Sequence, residues 1–313
     1  MRSPDSNIRV AILGASGIAE VHARIMHSLG AKIVAILGST KSSAELTADQ
    51  LNKKYGLKPA TYCDYETLLK NEKPEAISIC TPPEHHFPQL KSSFKRNLPV
   101  FCEKPLFWGE NITIKEIESK LDELKNYTKA KLLVNTSNST FLDSVIEHID
   151  QTKPCKYFYF QFYTQGPYQK REIATDLLPH GLSVLIKLIG QKEITSFSEE
   201  YDNHNYKCQF IYGACKVIFD FQENPKGKKI LSFTIDERSF LRIQKGQGSS
   251  YSVFLKDLSN EKLVKVEDPF KIYISRFFNT CKNLKTKEKE DFNTAVLNLK
   301  LMAEILLKKN HAG

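Results

Sequence analysis

ILGASGIAEVHARIM, residues Ile12 to Met26, is the stretch on which the fold depends. It starts as an apolar strand and finishes as a helix. Between them lies a glycine turn of the kind that cradles a dinucleotide pyrophosphate. In the pattern G-x-G-x-x-G the first glycine permits the tight turn and the second lets the backbone approach the pyrophosphate. The third lets helix and strand pack closely. Gly14 holds the first position and Ala19, an accepted small residue, holds the third, while Gly17 adds backbone freedom inside the turn. Ser16 stands at the second position. Its Cβ crowds the approach, but its hydroxyl can itself bond a phosphate oxygen. The helix N-terminus behind the turn offers unpaired N–H groups and a partial positive charge. Gly14, Ser16, Gly17, Ile18 and Ala19 are therefore candidate cofactor ligands. Taken alone, the motif also fits an ordinary strand–helix corner.

Outward from this stretch, strand and helix alternate. IRVAIL, AKIVAIL, PEAISICT, PVFCEKP and KLLVNTS read as apolar strands. Helical spacing runs through AEVHARIMHSLG, SSAELTADQLNKKYG, DYETLLKN, PEHHFPQLKSSFKRN and TIKEIESKLDELKNY, with Gly30 and Gly56 as stops and Asp64 as an N-cap. Such alternation implies a parallel sheet covered on both faces, an α/β doubly wound Rossmann domain over residues 1–130. Beyond about residue 140, alternating β runs dominate: CKYFYFQFYT, YKCQFIYG, CKVIFDFQE, KKILSFTID, SFLRIQK and YSVFLKD. ENPKGK and DLSNEK read as hairpin turns. Helices are expected at STFLDSVIEHID, at TDLLPHGLSVLIKLIG with Gly190 as its terminator, and at YISRFFNTCKNL and NTAVLNLKLMAEILLKK. Residues 131–313 thus read as an α+β domain with an open, mostly antiparallel sheet and helices on one face.

A chain of 313 residues suits two domains, and a hydrophobic fraction of 41% is ample for a core. No segment approaches the ~20 apolar residues of a membrane helix. The start, MRSPDSNIRVAIL, lacks the apolar run and cleavage site of a secretory signal. Seven scattered cysteines without a C-x-x-C argue against a disulfide framework or structural zinc and point to the reduced cytoplasm. The net charge of +9 is spread along the chain, densest in KNLKTKEKE at 282–290. Beyond solvating the surface, it would steer an anionic ligand. Nothing resembles a nucleic-acid-binding motif.

The end of the second strand speaks to the cofactor. Enzymes that use NAD usually place Asp or Glu there for the ribose 2′-hydroxyl. Here the strand runs into Gly38, Ser39, Thr40 and Lys41. No acid is present to repel a 2′-phosphate, and two hydroxyls and a cation stand ready to receive one. NADP(H) is expected over NAD(H), with Ser39, Thr40 and Lys41 as its contacts.

Two further stretches carry a family resemblance. In ICTPPEHHFPQLKSSFKRNLPVFCEKPL one strand ends in Thr81-Pro82-Pro83 and a later one in Glu103-Lys104-Pro105. In TDLLPHGLSVLIKLIG, Asp176 and His180 stand four apart, on one helical face. Together with GASGIAEVH, these stretches are similar to the Gfo/Idh/MocA family of nicotinamide-dependent oxidoreductases. The likeness in order and spacing covers the first two-thirds of the chain, and the remainder matches in character only. It implies that Lys104 lies beside the nicotinamide and hydrogen-bonds the substrate oxygen, that His180 exchanges a proton with that oxygen, and that Asp176 orients His180 or a substrate hydroxyl. It places Thr81, Pro82 and His85 by the cofactor, with Glu103 beside them in a local structural role, and it permits a cis bond before Pro105.

The family's D-x-G-x-H-x-x-D pattern departs here to Leu178 and Ser183. That leaves His180 one fewer acidic partner, and Leu178 and Pro179 are expected to narrow or reshape the pocket. Tyr168, Lys170 and Arg171, in YTQGPYQKRE before the helix, are candidates for substrate hydroxyls or an anionic group. No metal is expected, since His85 and His86 lack a third ligand at suitable spacing. The resemblance implies hydride transfer between nicotinamide and a carbinol or carbonyl carbon of a sugar-like substrate: a sugar, sugar phosphate, sugar nucleotide or cyclitol. It also implies a homodimer or homotetramer joined through the C-terminal sheet, with no nucleic-acid or membrane partner. The alternatives are a non-catalytic NADP-binding regulator or scaffold of the same family and an imine reductase on the same fold. Retention of Lys104, Asp176 and His180 together argues against the regulator.

Overall fold

The computed structural model describes residues 7–127, 129, 131–246, 251–282 and 288–307. The lysine-rich run at 282–290 lies largely outside the described residues, as do residues 1–6 of the N-terminal stretch. The first part of the chain alternates as read: β1 (Arg9–Leu13), α1 (Gly17–Ser28), β2 (Lys32–Leu37), α2 (Lys41–Tyr55), β3 (Ala60–Tyr62), α3 (Tyr65–Glu72), β4 (Ala76–Ile79), α4 (His86–Lys95), β5 (Val100–Cys102), α5 (Ile114–Lys125) and β6 (Leu132–Val134). Strand β3 was not expected, since three residues are too few to show a period. The helix ends follow their chemistry. Gly56 closes α2 in the left-handed region with φ 70°, and the Asp64 carboxylate accepts the Thr67 N–H at 2.7 Å to open α3.

The six strands run parallel in the order β3-β2-β1-β4-β5-β6. Val10 to Leu13, Ile77, Ile79 and Val100 to Cys102 are fully buried, which is why these strands read as unbroken apolar runs. Connection order reverses between β1 and β4. Their carboxyl ends therefore frame the crevice in which doubly wound sheets bind ligands.

The chain divides into two units. The first runs to Asn135 and takes in Tyr273–Val296; the second runs from Thr136 to Ile272 and resumes at Leu297. The return of Tyr273–Val296 to the first unit has a packing cause. Phe277 of α8 (Pro269–Cys281) lies against Phe101 with ring centroids 5.6 Å apart, and Lys131 donates to the Thr280 carbonyl at 2.9 Å.

In the second unit, STFLDSVIEHID is not one helix. It forms a 3-10 turn at Ser137–Thr140, a five-residue α6 (Phe141–Val145) and a second 3-10 turn at Ile146–His148. The Thr140 hydroxyl donates to the Ser137 carbonyl at 2.8 Å, a local bond of the kind that competes with the helical ladder.

Eight strands follow: β7 (Tyr157–Thr164), β8 (Ile194–Tyr201), β9 (Asn205–Tyr212), β10 (Cys215–Glu223), β11 (Ile230–Ile235), β12 (Arg238–Lys245), β13 (Ser252–Asp257) and β14 (Leu263–Val266). Their order is β14-β13-β12-β11-β7-β10-β9-β8, antiparallel except that β7 runs parallel to β10. DLSNEK closes the β13–β14 hairpin as expected. ENPKGK does not close one, because β7 lies between β10 and β11. The most aromatic strand thereby has neighbours on both sides: Phe160 packs edge-on against Phe219 of β10 and pairs with Phe233 of β11.

Helix α7 (Glu172–Ile189) lies on β7, β9 and β10. Pro179 in its interior has no N–H for the Thr175 carbonyl, and its own carbonyl accepts from Asn298 at 2.9 Å in α9 (Glu288–Leu307). Gly181 sets the close approach. A Cβ there would stand 2.9 Å from the Phe219 ring and 3.1 Å from Phe160. Gly181→Ala is therefore expected to overpack the core by ~1–3 kcal/mol, more than the ~1 kcal/mol it gains in helix propensity. A lower thermal midpoint is the expected reading; an unchanged or higher one would show that the rings give way. Among the described residues no helix is long and apolar enough to cross a membrane.

Candidate active site

The glycine turn leaves β1 at Gly14 with φ +119°, and a Cβ there would stand 2.6 Å from the Cys80 carbonyl oxygen. Glycine is thus required both for the dihedral and because the ends of β1 and β4 meet without room for a side chain. Gly14→Ala is expected to cost about 1–3 kcal/mol in backbone strain, read as a fall in thermal midpoint. At Gly17 the space is open. Ser16 is the extended N-cap of α1 (φ −115°, ψ 176°), exposed, and its hydroxyl makes no capping bond. That hydroxyl and the first N–H groups of a twelve-residue helix are therefore open to a ligand. Glu20 is the acid of the first turn. Lys54 at 2.9 Å and the Tyr55 hydroxyl at 3.0 Å compensate it, the Lys54 bond holding its carboxyl below the usual range. Ala19 is fully buried against the sheet.

At the end of β2, a Cβ on Gly38 would stand 2.7 Å from the Ala44 nitrogen, so this glycine closes the turn onto α2. Thr40 is the helix N-cap: its Oγ1 accepts the Ser43 N–H at 3.1 Å, and Ser43 Oγ accepts the Thr40 N–H at 3.2 Å. Ser39, Thr40 and Lys41 are exposed. Lys41 stands 3.8 Å from Glu45, a solvated pair of little strength.

The carboxyl ends of β4 and β5 are joined by buried polar groups. His22 of α1 is fully buried, with Nε2 2.8 Å from Glu103 Oε1 and Nδ1 2.9 Å from Ser78 Oγ and 3.2 Å from Cys80 Sγ. Asn135 donates to the same Glu103 oxygen at 2.6 Å. Burial opposes the charged imidazole, but Cys80 and the Glu103 carboxylate raise its pKa to about 10. Burial likewise opposes the carboxylate, yet the His22 hydrogen bond and charge, with Lys104 and Asn135, hold it below the usual range. The result is a buried ion pair directly beneath the backbone that carries Lys104. The Lys104–Pro105 peptide is cis. His86, fully buried, lies between the carbonyls of Thr81 (2.8 Å) and Pro105 (2.9 Å), clamping the loop after β4 to the loop after β5; burial pushes its pKa down. Thr81 Oγ1 donates to Gln89 at 2.7 Å. His85 and Pro82 are exposed beside them, and Trp108 is half-buried, its backbone N–H donating to the Pro83 carbonyl at 3.2 Å.

In the second unit, Asp176 and His180 are half-buried on α7, and the His180 ring meets Phe162 edge-on, centroids 5.0 Å apart at 85°. Ser183, in place of the second aspartate, directs its hydroxyl to the His180 carbonyl at 2.7 Å. Leu178 is fully buried in the core. Tyr168 is exposed and its N–H donates to the buried Glu223 carboxylate at 2.9 Å. Lys170 is exposed with φ 53°. Arg171 is engaged otherwise: its Nε lies 2.9 Å from Glu199, which also accepts the Tyr206 hydroxyl at 2.8 Å.

Comparison with known proteins now bears on this geometry. The Gfo/Idh/MocA model, that of an oxidoreductase family with an NAD-binding Rossmann fold, matches residues 8–136. Residues 8–136 belong to that family. The inositol 2-dehydrogenase of Rubrobacter xylanophilus is 27% identical over 124 residues, 39% of this chain and 34% of that protein. The D-glucoside 3-dehydrogenase of Escherichia coli is 32% identical over 102 residues, 32% of this chain and 28% of that protein. The chain therefore spans about a third of the length of these curated relatives. Over nearly the whole chain the fold is similar to that of a UDP-N-acetylglucosamine 3-dehydrogenase from Acidithiobacillus ferrooxidans: TM-score 0.68, 13% identity, 96% of this chain and 97% of that one.

In this Gfo/Idh/MocA Rossmann unit, the residues of the glycine turn and of the loops after β2, β4 and β5 gather at the carboxyl end of the sheet. His22, Ser78 and Asn135 carry no role in the sequence reading. The signal for His22 was its place on a buried helical stripe with Ala19, Ala23 and Met26, where a titratable side chain needs a buried partner.

Proposed function

We propose that the protein is an NADP(H)-dependent oxidoreductase that moves hydride between the nicotinamide and a carbinol or carbonyl carbon of a sugar-like substrate. One observation carries the reading: Lys104 leaves the sheet beside the dinucleotide cradle on backbone fixed from below by the buried His22–Glu103–Asn135 group. The tight turn at Gly14, the open space at Gly17 and the exposed helix start fit a pyrophosphate. Gly14, Ser16, Gly17, Ile18 and Ala19 would hold it, Ser39, Thr40 and Lys41 would receive the 2′-phosphate, and Thr81, Pro82 and His85 would line the nicotinamide side.

When bound, the cofactor supplies or accepts the hydride. The Lys104 ammonium stabilises negative charge on the substrate oxygen, and His180 takes or returns the proton at that oxygen. Asp176 orients the imidazole, and Tyr168 and Lys170 contact the sugar. Relatives named as inositol and glucoside dehydrogenases support a polyhydroxylated substrate. Reduced thiols at all seven cysteines support a cytoplasmic setting. The sheet face opposite α7, where Asp220 accepts from Tyr159 at 2.6 Å and Tyr163 at 3.1 Å, is our candidate for a homodimer or homotetramer contact, testable by light scattering.

Purified protein is expected to oxidise NADPH with at least one member of a keto-sugar and keto-cyclitol panel; inactivity on all of them sinks the reaction. Fluorescence titration is expected to give tighter binding of NADPH than of NADH. Lys41→Ala should remove about tenfold of that difference, the worth of one charge-assisted hydrogen bond. Tighter NADH binding by the wild type would reverse the cofactor assignment.

A further inference from the structure

Arg238 and Arg242 lie four apart on β12, on the same face as the buried Phe240 between them. Phe240 pairs with Phe233, and Phe233 with Phe160, so this is the face that α7 covers. Arg238 is compensated there, its guanidinium meeting the buried carboxylate of Asp257. Arg242 is different. It is half-buried, and among the described residues its guanidinium makes no hydrogen bond and has no carboxylate within ion-pair distance. Its contact is the Phe162 ring, 5.7 Å from guanidinium carbon to centroid. Loss of solvation pulls its pKa down, against the nearby Tyr251 and Asp268.

Withdrawing a cation from water without a counter-ion is unfavourable, and apolar residues of the same volume would pack there without that penalty. A guanidinium kept in this state is suited to a ligand that brings the negative charge. The location agrees with this. Phe162 is the ring that packs edge-on against His180, so Arg242 and His180 flank a single phenyl group. Arg171, the residue immediately before α7, is already held by Glu199 and cannot serve as readily.

We infer that Arg242 is the anion receptor of the substrate site, binding a carboxylate or phosphate on the sugar-like substrate. The planar fork of Arg suits either oxyanion, pairing with two oxygens at once. The substrate class is thereby narrowed to acidic or phosphorylated sugars. The sugar part of this inference rests on the oxidoreductase reading; the anion part rests on Arg242 alone.

The test is calorimetric titration of the full chain, with NADP+ present, by D-glucose, D-glucuronate and D-glucose 6-phosphate. At least one anionic sugar is expected to bind tenfold or more tightly than glucose, and which of the two does so distinguishes carboxylate from phosphate. Arg242→Met should abolish the preference and leave the thermal midpoint unchanged or higher. Arg242→Lys should keep part of it, as a point charge without the fork, and gives an independent reading if the Met variant folds poorly. Equal binding of all three sugars by the wild type, or a preference that survives Arg242→Met, overturns the inference. NADPH turnover by the wild type reads the oxidoreductase proposal separately: a preference lost in Arg242→Met without any turnover keeps the anion site and removes the reaction.

Discussion

Glu103→Ala is expected to lose roughly 3–5 kcal/mol of stability, the usual cost of removing one partner from a buried ion pair. His22, fully buried, would lose the carboxylate at 2.8 Å that favours its charged form, and the Asn135 amide would lose the acceptor it meets at 2.6 Å. The thermal midpoint should fall by about 10 °C for a chain of this size. Glu103→Gln keeps the shape and one acceptor but not the charge, and should fall between the variant and the wild type. The pH dependence carries a definite sign. His22 has its pKa raised from 6.5 to about 10, so its contribution is fully present below 6.5 and is lost as pH rises through about 10. Glu103 has its pKa lowered from 4.5, so its contribution is present above 4.5 and is lost as pH falls through its folded value. Urea unfolding should therefore show the wild type's advantage over Glu103→Ala as widest between about pH 4.5 and 6.5, narrowing as pH rises from 6.5 to about 10 and as it falls below 4.5. An advantage of under about 1 kcal/mol at pH 7 would mean that the pair is no stronger than a surface salt bridge.

The Rossmann half was legible because its information is local. Gly14 and Gly17 sit inside one turn, Gly56 and Asp64 mark helix ends, and strands buried on both faces read as apolar runs. What escaped was nonlocal. His22 and Glu103 are 81 positions apart, and no pattern within either stretch names the other. ENPKGK reads as a hairpin turn, yet its two strands are parted by β7, formed some fifty residues earlier; only the burial of Phe158 and Phe160 on both sides decides that order. Strand β8 escaped because it is a sheet edge whose outward Ser198 and Glu200, with the charged Glu199 between them, dilute the alternation, and β14 because it has four residues. Arg238 and Arg242 look alike in SFLRIQK. Which of them meets a carboxylate depends on Asp257 of the next strand, and that is a matter of register.

Lys104→Met is expected to lower kcat/KM by roughly 10²–10³, the scale on which removing a single group that stabilises developing oxyanion charge acts. The ammonium acts at the substrate oxygen, where charge grows in the transition state, so kcat should fall while NADPH affinity changes by less than about threefold. Lys104 is half-buried and its charge helps hold the Glu103 carboxylate, so the thermal midpoint of the Met variant is measured alongside and should fall by less than that of Glu103→Ala. Lys104→Arg keeps the charge on a wider, planar head and should recover only part of the rate. His180→Asn separates the second role. It removes the proton carrier but leaves the charge at Lys104, so it should lower kcat and flatten the limb of the pH–rate profile that an imidazole contributes near neutral pH. If the two groups serve one oxygen, the double variant should be little slower than the slower single one, because residues that act as a unit are strongly non-additive. Rates that multiply across the two variants would mean that Lys104 and His180 act on different atoms, and wild-type turnover in Lys104→Met would remove the lysine from the chemistry altogether.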